Sequence, residues 1–175
     1  APIIWALFDG CAETGISTFL LSRRMDAGDI LLQEPVAIGV DETAGELEAR
    51  LAVAGAELLV RSLDALQEGT ITPRPQSPDG ATRAPKLSRE DGRLHWTWPA
   101  QQVRNRIRGA NPMPGAFTTW GSVTLKIHRA DLVAASGPPG MVLTATAADG
   151  IVVACAQGAV RLTDVQPEGR PRMSA

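Results

Sequence analysis

The stretch Arg24-Met25-Asp26-Ala27-Gly28-Asp29-Ile30 decides how the first part of this chain is read. It places two carboxylates and a glycine between two apolar runs, Ile16–Leu21 and Ile30–Ile38. Both runs are rich in β-branched and apolar residues and read as strands, with the acidic segment as the tight turn joining them. Pro35 lacks an N–H, which directs the second strand to a sheet edge or a bulge. A loop at a strand end is where side chains reach a substrate, so Asp29 is the candidate for chemistry. A carboxylate there can orient a water or hold an imidazolium during proton transfer, and Asp26 is close enough to raise one of the two pKa values. The same composition also builds an ordinary turn, and the residues alone leave both readings open. The nearest histidine in sequence is His95, so an acid–base partner has to come from elsewhere in the fold.

Outward from the turn, Trp5–Gly10 reads as the end of a helix stopped by Gly10. Thr43-Ala44-Gly45-Glu46 is a capping box, in which the Thr hydroxyl accepts an N–H and Glu46 reaches back. Leu47, Leu51, Ala54, Leu58, Leu59, Leu63 and Leu66 follow at helical spacing, and Gly69 ends the amphipathic helix. Thr70–Pro85 then carries Pro73, Pro75, Pro78 and Pro85 with Gly80, a stiffened polar linker unable to bury a core.

The charge changes sign at that linker. The chain has 175 residues and a net charge of −2. Residues 1–80 hold 5 Lys+Arg against 13 Asp+Glu, and residues 81–175 hold 12 against 6. This asymmetry predicts two modules, the second attracted to a polyanion. The alternative is that both signs are merely solvated surface. The 44% hydrophobic content suffices for a core. No apolar run reaches the ~18 residues needed to span a membrane. Cys11 and Cys155 are too few and too far apart for a disulfide framework or a metal cluster, which fits reduced thiols in a cytoplasmic protein. The start, Ala1-Pro2-Ile3-Ile4-Trp5, lacks a basic n-region and an initiator Met. It is read as a cut from a longer chain, not as a signal peptide.

The second module opens with Leu87–Asp91 and Leu94–Trp98, followed by a short helix over Ala100–Arg108 that Asn111-Pro112-Met113-Pro114-Gly115 breaks. Ala116–Trp120, Val123–His128, Met141–Ala145, Ile151–Ala156 and Ala159–Val165 then alternate with Gly/Pro turns, the pattern of a small barrel or sandwich. On the helix, Arg104 and Arg108 share a face while Arg106 points away. With Lys126, Arg129, Arg161, Arg170 and Arg172 from the β part they predict a positive surface suited to a phosphate backbone. His95 and His128 read as packing residues.

Three groups of residues carry a resemblance. Ala1-Pro2-Ile3, Glu13-Thr14-Gly15-Ile16-Ser17 and Met25–Ile30 resemble the second half of the catalytic domain of the methionyl-tRNA formyltransferases. Lys86–Asp91 and Ile107–Ala116 resemble the start of that family's C-terminal domain, and Gln166–Ala175 the stretch near its end. The matches run the length of the chain in the right order.

The resemblance implies an α/β plus all-β fold. Residues 1–69 would be the second half of a Rossmann-like formyltransferase domain, 70–85 a linker, and 86–175 an open OB-like barrel. It implies formyl transfer from 10-formyltetrahydrofolate to initiator methionyl-tRNA, with no metal. Asp29 would be catalytic, and Met25 and Asp26 would belong to the folate and substrate site. Lys86, Arg104, Arg108, Lys126, Arg129, Arg161, Arg170 and Arg172 would face the tRNA. In the family an Asn and a His act with the Asp, from an Asn-x-His-x-Ser stretch upstream of the Ala-Pro-Ile segment; no such stretch occurs in these 175 residues. The polypeptide alone is therefore expected not to transfer formyl groups. A full-length relative would be monomeric. Half a Rossmann domain would expose a sheet edge and a helix face and would tend to self-associate. Competing expectations are a non-catalytic tRNA-binding module, a formyltransferase acting on an amino sugar nucleotide, and a formyltetrahydrofolate hydrolase.

Overall fold

The computed structural model of the protein describes residues 1–77, 79–146 and 148–175; Pro78 of the linker lies outside the described residues. The first module is a helix α1 (Pro2–Phe8), a hairpin of β1 (Glu13–Phe19) and β2 (Ile30–Ala37), and a long helix α2 (Ala44–Gln67). The two strands pair antiparallel from Glu13↔Ala37 to Phe19↔Ile30, with Pro35 opposite Gly15. Among the described residues this module forms an antiparallel hairpin and no parallel ladder, so the strands of the expected Rossmann-like half do not build a parallel sheet here.

The capping box forms as expected. Glu46 N–H donates to the Thr43 hydroxyl at 3.3 Å, and Thr43 N–H to the Glu46 carboxylate at 2.8 Å. Leu7, Ala44, Leu47 and Leu51 form a small core against Ile16, Val36 and Ile38. Leu58 is fully buried, but Leu59, Leu63 and Leu66 are exposed, along with Val53 and Val60. One stripe of α2 packs on the hairpin, where Ser62 sits 2.6 Å from the Thr18 hydroxyl, and the opposite stripe faces outward.

The second module starts with a 3-10 turn, Arg89–Gly92, and α3 (Ala100–Gly109). Six strands follow: β3 (Ala116–Trp120), β4 (Val123–Val133), β5 (Val142–Thr146), β6 (Gly150–Ala154), β7 (Ala159–Pro167) and β8 (Met173–Ser174). They make an antiparallel sheet in the order β3-β4-β7-β6-β5, with β8 on β7. The two edges, β3 and β5, do not pair, so the sheet is not closed into a barrel. Alternating residues of β4, β6 and β7, among them Ile127, Val153, Val160, Leu162 and Val165, bury one face against Val103 and Ile107 of α3.

β4 is longer than the sequence pattern predicts, because its register against β7 slips around His128. Such a bulge bends a strand without ending it. Arg129, at the bulge, pairs with Glu46 of the first module.

The modules share a core. Phe8 of α1 is buried among second-module residues. Its ring stacks edge-on to Trp5 and lies 3.8 Å from the Arg106 guanidinium. α3 approaches so closely that a Cβ on Gly109 would sit 2.6 Å from the Phe8 ring.

The candidate functional site

The acidic turn hangs between the ends of β1 and β2. Leu20 N–H donates to the Asp29 carbonyl at 2.9 Å, closing the loop at its base. Gly28 is buried there, and a Cβ at this position would lie 1.6 Å from the Leu20 carbonyl oxygen, so no other residue fits. Asp26 adopts φ +52°, the left-handed region that Asp tolerates better than most residues. The linker reaches back to this loop. Gln76 donates through Nε2 to the Gly28 carbonyl at 2.7 Å and to the Asp26 carbonyl at 3.1 Å. Ile30 and Arg74 exchange backbone hydrogen bonds of 2.7 and 2.9 Å.

The loop is thus pinned from below while its outer side chains face solvent. Met25 is 91% exposed, and Asp26 and Asp29 are exposed. No hydrogen bond to the Asp29 carboxylate occurs among the described residues, which leaves both oxygens available to a ligand or a partner group. The histidines lie elsewhere: His95 packs on Trp98 at 4.7 Å, and His128 is on the β4 bulge of the second module. Gln76 escaped the sequence reading because a lone polar residue among prolines carries no local signal.

The basic residues separate into two sets. Arg104 and Arg108 are buried at the module junction. Arg104 donates to the Val40 carbonyl at 2.9 Å and pairs with Asp41. Arg108 donates to the Gly39 carbonyl at 3.2 Å and to Asn105 Oδ1 at 3.1 Å. Arg129 pairs with Glu46 of the α2 capping box. These three were expected on an open positive surface; instead their guanidinium groups satisfy the carbonyls and carboxylates of the Gly39–Glu46 turn. Helical spacing placed Arg104 and Arg108 on one face correctly but could not say what that face meets.

Lys86, Lys126, Arg161, Arg170 and Arg172 are exposed. Two of them carry carboxylate partners. Arg161 lies 3.3 Å from Asp131. Arg172 holds Asp164 through Nε at 2.7 and 2.8 Å, which lowers the Asp164 pKa below its usual value. Lys126 stands opposite Phe117 and Gln166 and shares a shallow hollow of about 230 Å³ with Arg89. Arg89, absent from the expected set, also approaches the Phe117 ring at 5.4 Å.

No cluster of three His, Cys, Asp or Glu able to hold a metal occurs among the described residues. Burial pushes the Cys155 thiol up to about 11, which keeps it protonated and unreactive near neutral pH. Among the described residues no helix is long and apolar enough to cross a membrane.

Residues 86–175 match the family model described as formyl transferase, C-terminal domain, and residues 1–63 match that described as formyl transferase. The methionyl-tRNA formyltransferase of Geobacter metallireducens is 42% identical over 175 residues, all of this chain and 56% of that protein. The chain therefore spans a little over half the length of such curated relatives. HypX from Aquifex aeolicus, solved in complex with tetrahydrofolic acid, superposes with a TM-score of 0.69 at 20% identity, over 98% of this chain and 31% of its own. The N-formyltransferase from Helicobacter canadensis, in complex with folinic acid and dTDP-3-aminofucose, superposes with a TM-score of 0.73 at 14% identity, over 91% of this chain and 59% of its own. At those identities the superpositions speak for the fold alone. The matched models cover both modules on either side of the linker, and the chain belongs to the formyl transferase family.

Proposed function

We propose that this chain carries the Asp29 portion of an enzyme that transfers the formyl group of 10-formyltetrahydrofolate to the amino group of initiator methionyl-tRNA in the cytoplasm. The observation that carries the reading is the pinned loop: a free carboxylate on a loop fixed by Gly28 and Gln76, in a chain 42% identical to a methionyl-tRNA formyltransferase. The amine nitrogen attacks the formyl carbon, the C–N bond to the folate breaks, and the amine proton passes to the departing folate nitrogen. Asp29 holds the charge or hydrogen bond of the group that moves that proton. Developing charge on the formyl oxygen needs a preorganised donor. Met25 offers an apolar thioether, and Asp26 an acceptor, to the folate beside it.

The second module takes the nucleic acid. Its free cations, Lys86, Lys126 and Arg170, together with Arg89, are the phosphate contacts, and Arg161 and Arg172 lie beside them with their charge already shared.

The decisive test is a chimera in which this chain replaces the matching portion of the Geobacter metallireducens relative. Formylation of methionyl-tRNA by the chimera, lost by a factor of roughly 10² or more in Asp29→Asn, supports the reading; an Asp29→Asn chimera with undiminished turnover sinks it. The polypeptide alone is expected to show no turnover above background. Formylation of an amino sugar nucleotide in place of methionyl-tRNA would favour the second reading.

A further inference from the structure

The Asp29 carboxylate is exposed and accepts no hydrogen bond among the described residues, so its aim is set by the backbone that carries it. Two peptide planes flank that backbone. The plane on the carboxyl side is held by main-chain bonds: the Asp29 carbonyl accepts from Leu20 N–H at 2.9 Å, and Ile30 N–H donates to the Arg74 carbonyl at 2.7 Å. The plane on the amino side has a single anchor among the described residues. There the Gly28 carbonyl accepts from Gln76 Nε2 at 2.7 Å and from no other group. The same nitrogen donates to the Asp26 carbonyl at 3.1 Å, so its two hydrogens clamp two carbonyls of one turn. Gly28 has no side chain to restrain the plane in its stead.

Gln76 reaches the loop from the linker, 48 residues further along the chain. The strap that carries it is stiff. Pro73 and Pro75 fix φ on either side of Arg74, and a residue before a proline is held extended. Arg74 and Ile30 exchange two main-chain bonds, of 2.7 and 2.9 Å, which lock the strap to the base of the loop. The amide is therefore delivered already placed, and little freedom is lost when it bonds.

We propose that Gln76 is a positioning residue of the formyl-transfer site: it fixes the peptide plane preceding Asp29 and so aims a carboxylate to which it does not hydrogen-bond. This role rests on the reading of Asp29 as acting in formyl transfer. A group acting on a reacting centre has to be held within about 0.5 Å of its productive place. Freed of Gln76, the 28–29 plane and the turn before it can shift, and the Asp29 side chain shifts with them.

Gln76→Ala and Gln76→Glu are placed in the chimera with the Geobacter metallireducens relative, alone and together with Asp29→Asn, each confirmed as folded by circular dichroism. Glu keeps the length of Gln but, once ionised, has no hydrogen to donate. Each single Gln76 variant is expected to lower kcat for methionyl-tRNA roughly tenfold or more, with KM changed by less than about twofold. In the Asp29→Asn background the same substitutions are expected to change the residual kcat by less than about twofold, because a residue acting through Asp29 has nothing left to aim. Losses that multiply instead would show a merely structural role and overturn the proposal. So would Gln76 variants with parental kcat beside an impaired Asp29→Asn, an outcome that leaves the reading of Asp29 standing. A folded chimera in which Asp29→Asn loses nothing, or which shows no turnover at all, sinks both.

Discussion

At the scale of single residues, Gly28 and Gln76 matter more to the site than their chemistry suggests. Gly28 lies against the Leu20 carbonyl, where a methyl group has no room. Gly28→Ala is expected to cost about 2–4 kcal/mol through forced backbone displacement, measured as a lowered urea midpoint with unchanged slope. Gln76 acts on the loop alone. Gln76→Ala removes two hydrogen bonds to the loop backbone, so global stability should fall by about 1 kcal/mol, while amide exchange across residues 26–29 accelerates much more. Equal acceleration throughout the first module would show that Gln76 is a general stability residue instead. Asp29 itself was legible as a turn carboxylate. Its freedom from neighbours was not, because contacts between residues 28 and 76 leave no periodic trace.

At the scale of elements, what is local was readable and what is long-range was not. The α2 cap follows from four consecutive residues, and both reciprocal bonds are present. Thr43→Ala should cost about 1 kcal/mol, up to about 2, read by urea denaturation. The same bonds set a pH dependence. The Thr43 N–H and hydroxyl, more than Arg129, hold the Glu46 pKa below its ordinary value of 4.5. A depressed carboxylate stabilises the fold above its unfolded pKa, and that stabilisation is lost as pH falls through the lower folded value. Thr43→Ala, which removes the hydroxyl but keeps the N–H, should therefore flatten the acid limb of stability below about pH 4.5 only in part. An unchanged limb would assign it to Glu42 or Asp164, whose pKa values are also lowered. The outward stripe of α2 shows the limit of periodicity: Leu59 and Leu63 keep helical spacing yet face solvent, since spacing ranks faces but does not say which is covered. The extra length of β4 was hidden likewise, because a bulge breaks the two-residue alternation that marks a strand.

At the scale of the molecule, the modules meet through a core that composition could not foretell. Phe8 belongs to the first module by sequence and to the second by packing. Phe8→Ala is expected to cost about 3–5 kcal/mol and to split a single thermal transition into two, followed by calorimetry; one undivided transition would mean that the arginine contacts alone couple the modules. On the outer surface, Lys126→Ala should lower the salt slope of tRNA binding by about one unit, measured by filter binding across a range of salt, whereas Arg104→Ala should act through stability. By itself the sequence determined the helices and the α2 cap, the hairpin around Asp29, the run of short strands and the charge division at the linker, since each is written in neighbouring residues. Only the tertiary structure decided which arginines remain free, that Gln76 returns to pin the Asp29 loop, and that the sheet stays open. Those outcomes depend on which buried carbonyls and carboxylates need a donor, and that demand exists only once distant segments have been brought out of water together.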